Sequence, residues 1–325
     1  MPVANSRDAS PTATALGVVA AAGLAALAWG VFVERNRFTI RHEVLPILDS
    51  GARPLTVLHL SDLHMAPWQT AKQEWIRSLA VFEPDLVINT GDNLGHMNGL
   101  EGVERALEPF RDVPGVFVNG SNDYFGPVMK NPVNYFLPPR PHTKNPPDLD
   151  TGALESFFED SLGWLSLNNT ARAMLVKGSR LEFFGVNDAH RSWDHLERLP
   201  GAIDEMRENV AWQDDPADRD VVSIGVTHAP YQRVLDAFVT YGADAIFAGH
   251  THGGQVRIPG LPPLVANCDL PRNQAQGLST WKHAARSAWL NVSAGLGTSI
   301  YAPVRFSCPP EAVLVTLTPR DISYS

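Results

Sequence analysis

The sequence predicts an α/β fold preceded by one membrane-spanning helix, and three observations predict it. Short apolar runs at Leu55–Leu60, Asp85–Asn89 and Gly115–Asn119 alternate with apolar residues at helical spacing, the rhythm of a sheet layered with helices. Each run ends in polar, metal-competent side chains, and carboxyl ends of strands are where such sheets place their sites. Ahead of them, Ala13–Val33 passes without a charge, about 30 Å of helix and the thickness of a bilayer's hydrocarbon core.

Composition sets the outer bounds. With 44% hydrophobic content, 325 residues can bury a sizeable core. The net charge of −9 argues against nucleic acid held on a broad basic face, so an anionic substrate has to be attracted locally, by metal ions. Cys268 and Cys308 lie far apart and outside any Cys-x-x-Cys pattern, which excludes a disulfide framework and a thiolate metal site and leaves a single bridge open.

Residues 1–12 are a polar tail. The run 13–33 is expected to be a single-pass anchor in the cell membrane rather than a cleaved signal, which would have a shorter apolar core and a stronger basic start than Arg7 beside Asp8. A buried soluble helix is the third alternative. Arg35, Arg37 and Arg41 follow the run, a bias that favours the cytoplasmic side for the downstream domain. Phe38–Leu45 alternates as a strand, and Leu55–Leu60 is a strand covered on both faces that ends at Asp62 and His64. Trp75, Ile76, Leu79 and Phe82 mark a helix face that Pro84 stops. The strand 85–89 leads to Asp92; Leu100, Val103, Leu107 and Phe110 form the next helix; the strand 115–119 leads to Asn122 and Asp123.

Seven prolines between Pro127 and Pro147 rule out an interior helix or strand, so 126–150 is expected to be a surface excursion, a flap near the site. A helix over 153–162, a hairpin turning at Lys177–Arg180 and a strand 181–186 follow, the last ending in Asp188 and His190. Residues 192–219 read as a surface helix with loops, 220–227 as a strand ending at His228, and 231–241 as a helix. Then comes Ala-Gly-His-Thr-His-Gly-Gly-Gln, residues 248–255, after the run 244–248. Side chains at i and i+2 of an extended backbone share a side, so His250 and His252 read as metal ligands. Strands at 288–293 and 312–317 complete the sheets.

Carboxylates, an amide and imidazoles gathered at five strand ends suit a hard to borderline divalent ion, manganese, iron or zinc, in numbers sufficient for two. In order and type the set resembles the calcineurin-like metallophosphoesterase superfamily, whose pattern is Asp-x-His, Gly-Asp, Gly-Asn-His-Asp, His and Gly-His-x-His. The resemblance covers roughly residues 55 to 320. Gly-Gly-Gln after His252, and Pro303-Val-Arg-Phe ahead of Pro310-Glu311, are similar to the bacterial membrane-associated branch. It implies two packed mixed β-sheets flanked by helices, within a domain of residues 38–325. It also implies that Asp62, His64 and His252 hold one ion, that Asp92 bridges, and that His228 and His250 hold the other. The implied activity is hydrolysis of phosphoric esters or anhydrides, as a phosphodiesterase or pyrophosphatase, by a hydroxide shared between two ions. Phosphorylated small molecules or lipids beside the membrane are the expected substrates.

One block departs from the pattern. Where the family has Gly-Asn-His-Asp, this chain has Gly120-Ser121-Asn122-Asp123. Either Ser121 is a weak ligand or Asn122 binds the second ion; an amide oxygen is the better neutral ligand, so Asn122 is assigned. The motif histidine is absent, and asparagine cannot donate a proton as an acid. Asp188 and His190 are the candidates to replace it, unless they only cap the following helix. Alternatively no acid is needed, as for a membrane-lipid or nucleotide-sugar pyrophosphatase whose leaving group is itself a phosphate. A non-catalytic metal-binding scaffold of the same fold is the alternative from another class, disfavoured because nearly every ligand remains. Among neighbouring residues, His59 is expected in the core, His96 in a solvated loop and Asp123 behind the ligands, while Arg305 either meets a phosphate or pairs with Glu311.

Overall fold

The computed structural model describes residues 11–127, 147–210 and 220–320. Most of the proline-rich excursion, the polar tail and the end of the 192–219 segment therefore lie outside the described residues. Helix α1 (Pro11–Phe32) is long and apolar enough to cross a membrane and is almost wholly exposed.

Two six-stranded mixed sheets follow. The first contains β1 (Thr39–Leu48), β2 (Leu55–Leu60), β3 (Leu86–Asn89), β4 (Gly115–Phe117), β5 (Leu165–Ser166) and β12 (Glu311–Pro319), in the order β1-β12-β2-β3-β4-β5. The second contains β6 (Thr170–Val176), β7 (Ser179–Gly185), β8 (Val221–Thr227), β9 (Ala245–Ala248), β10 (Gly277–His283) and β11 (Arg286–Val292), in the order β10-β11-β9-β8-β7-β6. Strands β2 to β5 run parallel in one sheet and β7, β8, β9 and β11 in the other, so the site-bearing strand ends share one direction within each sheet.

The continuous apolar runs arise because both faces of each sheet are covered. Leu55 and Val57 of β2 pack in the layer between the sheets with Phe183, Ile224, Val226 and Phe247. Leu58 and Leu60 point the other way, onto α2 (Thr70–Ser78) and α3 (Leu100–Leu107) through Ile76, Val103 and Leu107. On the far side, Phe184 and Ile246 face α6 (Leu199–Asn209) and α7 (Gln232–Thr240) through Ile203, Val234 and Phe238. Period-two alternation thus feeds two cores from each strand.

A polar bridge also crosses the inter-sheet layer. Arg41 of β1 donates to Glu311 Oε1 of β12 (3.1 Å) and to Asn291 Oδ1 of β11 (3.0 Å), while Asn291 Nδ2 meets His59 Nδ1 of β2 at 2.9 Å. Arg41 is therefore a structural cation of the sandwich, and the basic bias beyond α1 rests on Arg35 and Arg37. Strand β10 escaped the sequence reading because it is an edge strand whose residues are mostly part-exposed and polar. The helix expected over 153–162 is α5 (Thr151–Ser156) followed by a wider π turn, Phe157–Ser161.

Candidate metal centre

Every candidate ligand sits where a strand of one sheet meets a strand of the other at their carboxyl ends. Asp62 and His64 follow β2, Asp92 follows β3, and Asn122 lies in the one-turn helix α4 (Ser121–Tyr124) after β4. His228 follows β8, and His250 and His252 follow β9. The chain must turn sharply to aim these side chains into one cavity. Asp62, His64, Asp92, His250 and His252 all adopt left-handed backbone, with φ of 50°, 40°, 56°, 67° and 49°. Such conformations cost on the order of 1 kcal/mol or more each for non-glycine residues and persist where surrounding structure imposes them.

That surrounding structure is visible. The Asp123 carboxylate accepts from the backbone N–H groups of Asp92 (2.8 Å), Asn93 (2.6 Å), Leu94 (3.2 Å) and Gly120 (3.0 Å), so it holds the loop behind Asp92. Lys72 Nζ donates to the Leu63 carbonyl at 2.5 Å. Two glycines admit the carboxylates at close range: a Cβ on Gly120 would fall on Asp92 Oδ1, and one on Gly249 on Ser61 Oγ and Asp62 Oδ2.

Two clusters of ligand atoms result, Asp62 with His64 and His252, and Asp62 with Asp92 and His228. His64 Nε2 lies 3.2 Å from His252 Nε2, and His228 Nε2 lies 3.2 Å from His250 Nδ1. His228 Nε2 is 3.4 Å from Asp92 Oδ2, His64 Nε2 is 3.6 Å from the same oxygen, and His252 Nε2 is 3.5 Å from Asp62 Oδ1. Imidazole nitrogens facing one another at such distances need a shared cation or proton between them. Asp62 Oδ1 is buried without a hydrogen-bond partner, and an unpartnered buried carboxylate oxygen is costly unless something positive meets it. Both observations fit divalent metal.

Hydrogen bonds behind the ligands fix their orientation. His228 Nδ1 donates to the Thr90 carbonyl at 2.7 Å, which leaves Nε2 for the centre. His250 Nε2 lies 3.2 Å from the Asn267 carbonyl, which leaves Nδ1. Asp62 Oδ2 accepts from Ser61 Oγ (2.5 Å) and His250 N (3.0 Å). Burial raises the Asp92 carboxyl, but His228, His64 and the Asn122 amide outweigh it and hold the group well below the usual range. Burial pushes His250 down to about 4, reinforced by His228, and His252 to about 4, reinforced by His64 and Arg305. Charged carboxylates beside neutral imidazoles are the protonation states that metal coordination requires. His228 is the exception: burial lowers it, but Asp92 overrides this and holds it well above its ordinary value.

Asn122 reaches the centre directly, its Nδ2 donating to Asp92 Oδ2 at 2.6 Å and its backbone N–H to Oδ1 at 2.8 Å. Asp188 and His190 lie on the other flank. Asp188 Oδ1 accepts from His190 N at 2.9 Å, the cap expected as their alternative role, while Oδ2 stays buried without a partner. The His190 ring stands 4.7 Å from that of His250, and its Nδ1 meets the Tyr231 hydroxyl at 3.0 Å.

Several neighbours take definite places. His59 is fully buried against Phe247, as expected of a core residue, and His96 packs edge-on to Trp68 beside the loop. Arg305 follows neither expectation. It is fully buried and donates to the carbonyls of Ala294 (2.7 Å), Gly295 (3.0 Å), Gly297 (2.8 Å) and Cys308 (3.3 Å). The Glu311 carboxylate is already engaged by Arg41 and Gln276, so Arg305 is a strut behind His252 and Asp62. Cys268 and Cys308 are both free thiols, which closes the possibility of a bridge. The supports Ser61, Thr90 and Asn267 were not found in the sequence. Thr90 acts through its backbone, and Asn267 lies in a loop without periodicity; only the adjacency of Ser61 to Asp62 was a usable signal.

Comparison with known proteins agrees with this geometry. The family model described as calcineurin-like phosphoesterase matches residues 55–254. The Bacillus subtilis protein YpbG is 26% identical over 274 residues, 82% of this chain and 82% of its own length. The Bacillus subtilis metallophosphoesterase YkuE is 20% identical over 291 residues, 88% of this chain and 85% of its own. Among solved structures, the 5′-nucleotidase precursor of Thermus thermophilus aligns at a TM-score of 0.44 with 13% identity, over 81% of this chain and 55% of that one. With the family model matched across more than half of its length, the chain belongs to the calcineurin-like phosphoesterase family and is a metal-dependent phosphoester hydrolase.

Proposed function

We propose that the centre holds two divalent ions and hydrolyses phosphoric diesters or anhydrides at the membrane to which α1 anchors the domain. Asp62, His64 and His252 would hold one ion, Asp92 would bridge, and His228 and His250 would hold the other; Asn122, expected as a ligand through its amide oxygen, instead turns its Nδ2 to Asp92 Oδ2 and positions that carboxylate. The observation that carries this reading is the two pairs of facing imidazoles, His64 with His252 and His228 with His250, each at 3.2 Å beside the Asp62 and Asp92 carboxylates. Bound there, the ions supply positive charge for phosphoryl oxygens and lower the pKa of water.

The chain's own groups set what else is possible. Ser121-Asn122 stands where the family has Asn-His, and Asn122, at the histidine's place, donates through an amide that cannot deliver a proton as an acid. Protonation of a leaving group then falls to Asp188 or His190, which flank His228 and His250. Asp188 Oδ2 is buried and unpartnered, and burial raises its carboxyl against the opposing pull of His228. The His190 imidazole is pushed down to about 4 by burial and by His250, so at neutral pH it acts as a neutral ring that orients rather than a charged acid. A leaving group that needs no proton, such as a phosphate leaving a pyrophosphate, suits this arrangement best.

The test uses the full chain in detergent, loaded with manganese, on a phosphomonoester, a phosphodiester and a pyrophosphate, beside an Asp92→Asn variant. Metal-dependent turnover on the diester or the pyrophosphate that vanishes with Asp92→Asn is expected. Two bound ions without turnover on any of the three would shift the reading to a metal-binding scaffold.

A further inference from the structure

Beyond residue 33, ten large apolar side chains stand exposed among the described residues, and four of them lie in one nine-residue loop: Val256, Ile258, Leu261 and Leu264, at 39%, 50%, 55% and 43% exposure. A fifth, Tyr301, adjoins Ala302, whose carbonyl accepts from Gln255 Nε2 at 2.7 Å. Solitary exposed apolar residues are ordinary on a protein surface, but a cluster on one loop calls for an occupant.

The position of the loop identifies that occupant. Val256 bridges Phe306 in parallel register, Arg257 N donates to the Phe306 carbonyl at 2.9 Å, and Arg305 N donates to the Gly30 carbonyl of α1 at 3.2 Å. Gly30 seats the helix closely, since a Cβ there would lie 2.6 Å from Arg305 O. Glu34 completes the joint, accepting from Cys308 N at 2.7 Å and from Trp29 Nε1 at 3.0 Å. The end of α1 is thus fastened to the strip 304–308, and the apolar loop is fastened to the other side of that strip. Pro259, Pro262 and Pro263 carry no N–H to desolvate, which suits a loop that leaves water without becoming a helix. Arg37, exposed just beyond α1, flanks the same joint with charge suited to lipid phosphates.

We propose that residues 256–264, with Tyr301, form a second membrane contact that enters the interface of the bilayer crossed by α1 and turns the metal centre toward the lipid headgroups. The inference rests on the anchoring role proposed for α1. The loop begins four residues after His252, and Gly254 lies against the side chain of Pro263, so the contact runs directly into the segment that carries a ligand.

The test uses the full chain in phosphatidylethanolamine–phosphatidylglycerol vesicles containing both a lipid with a nitroxide near its headgroup, which reaches the interface, and a lipid with a nitroxide midway along an acyl chain, which reaches the middle of α1. Because Cys308 is buried, a Cys268→Ser background allows an environment-sensitive fluorophore on Leu261→Cys, on Ile258→Cys, on Val19→Cys in α1, and on Leu175→Cys at the opposite end of the second sheet. At least twofold quenching is expected at residues 19, 258 and 261, with none at 175. Quenching at 19 while 258 and 261 behave like 175 overturns the second contact and leaves the anchor standing. Absence of quenching at 19 overturns the anchor, and the second contact with it.

Discussion

The first sheet brings Asp62, His64, Asp92 and Asn122 to the centre, and the second brings His228, His250 and His252, with Asp188 and His190 beside them. Candidate carboxylate ligands therefore concentrate on one half of the sandwich and candidate imidazole ligands on the other. Each half alone is poorly suited to hold a dication: two buried carboxylates without counter-charge repel, and imidazoles facing each other present lone pairs to lone pairs. Joined, they form mixed oxygen and nitrogen sets of the kind that borderline divalent metals take. The binding site is thus a property of sheet packing, and whatever fixes the two sheets against each other fixes the ligands. Arg41, Asn291 and His59 do this within the inter-sheet layer, and Arg305 does it directly behind Asp62 and His252.

The largest effect is expected from breaking a pair across the halves. Asp62→Asn and His252→Ala should each lower turnover by about a hundredfold to a thousandfold. The double variant should be little worse than the poorer single one, because both changes remove the same ion. Kinetics combined with metal content by mass spectrometry reads this, and additive losses would show that the two residues serve different ions. Arg305→Met comes next. Losing four carbonyl partners inside the core should lower stability by about 3 kcal/mol, seen as a drop in melting temperature. Metal affinity should fall with it, since the strut holds the segment 294–297 against Asp62.

Asn122 offers a smaller and sharper test of the asymmetry. Asn122→Ala should cost about tenfold in turnover, as a charge-assisted hydrogen bond to Asp92 is lost. Asn122→His should improve hydrolysis of esters with poor leaving groups while leaving the pyrophosphate rate nearly unchanged; improvement on both alike would mean that proton delivery is not what the chain lacks.

The effect that is smallest near neutral pH, and grows only in acid, concerns the inter-sheet bridge. Burial, reinforced by Arg41, holds His59 at about 3, well under its ordinary value, with Thr90 Oγ1 at 3.0 Å and Asn291 Nδ2 at 2.9 Å on its two ring nitrogens. The unfolded chain takes up this proton near pH 6.5 and the folded protein does not, so the contribution of His59 to stability is complete above pH 6.5 and falls as pH drops toward 3. Denaturant titrations of the parent and of His59→Gln should diverge in slope by about 1.4 kcal/mol per pH unit in that window, the parent being the steeper. Parallel slopes would mean that His59 is not held neutral.

Most of the strands along the chain, the burial of a central strand on both faces and the ligand types were legible in the sequence because they follow from local periodicity and from where polar residues interrupt apolar runs. Asp62, Asp92, His228 and His250 stand out for that reason, as does α1, whose uncharged length is itself the signal. The role of Arg305 was not legible because its neighbours in sequence say nothing about the four carbonyls that surround it. Asn267, the Thr90 carbonyl and the Arg41–Asn291–His59 bridge were invisible for the same reason. The sequence alone determined which residues can bind metal and which end of the strands carries them, since both depend on residue type and short-range spacing. Only the tertiary structure decided which imidazole faces which carboxylate, and that the apolar loop 256–264 is fastened through the strip 304–308 to the end of α1. Those contacts join residues far apart in the chain, and their geometry comes from the packing of one sheet upon the other.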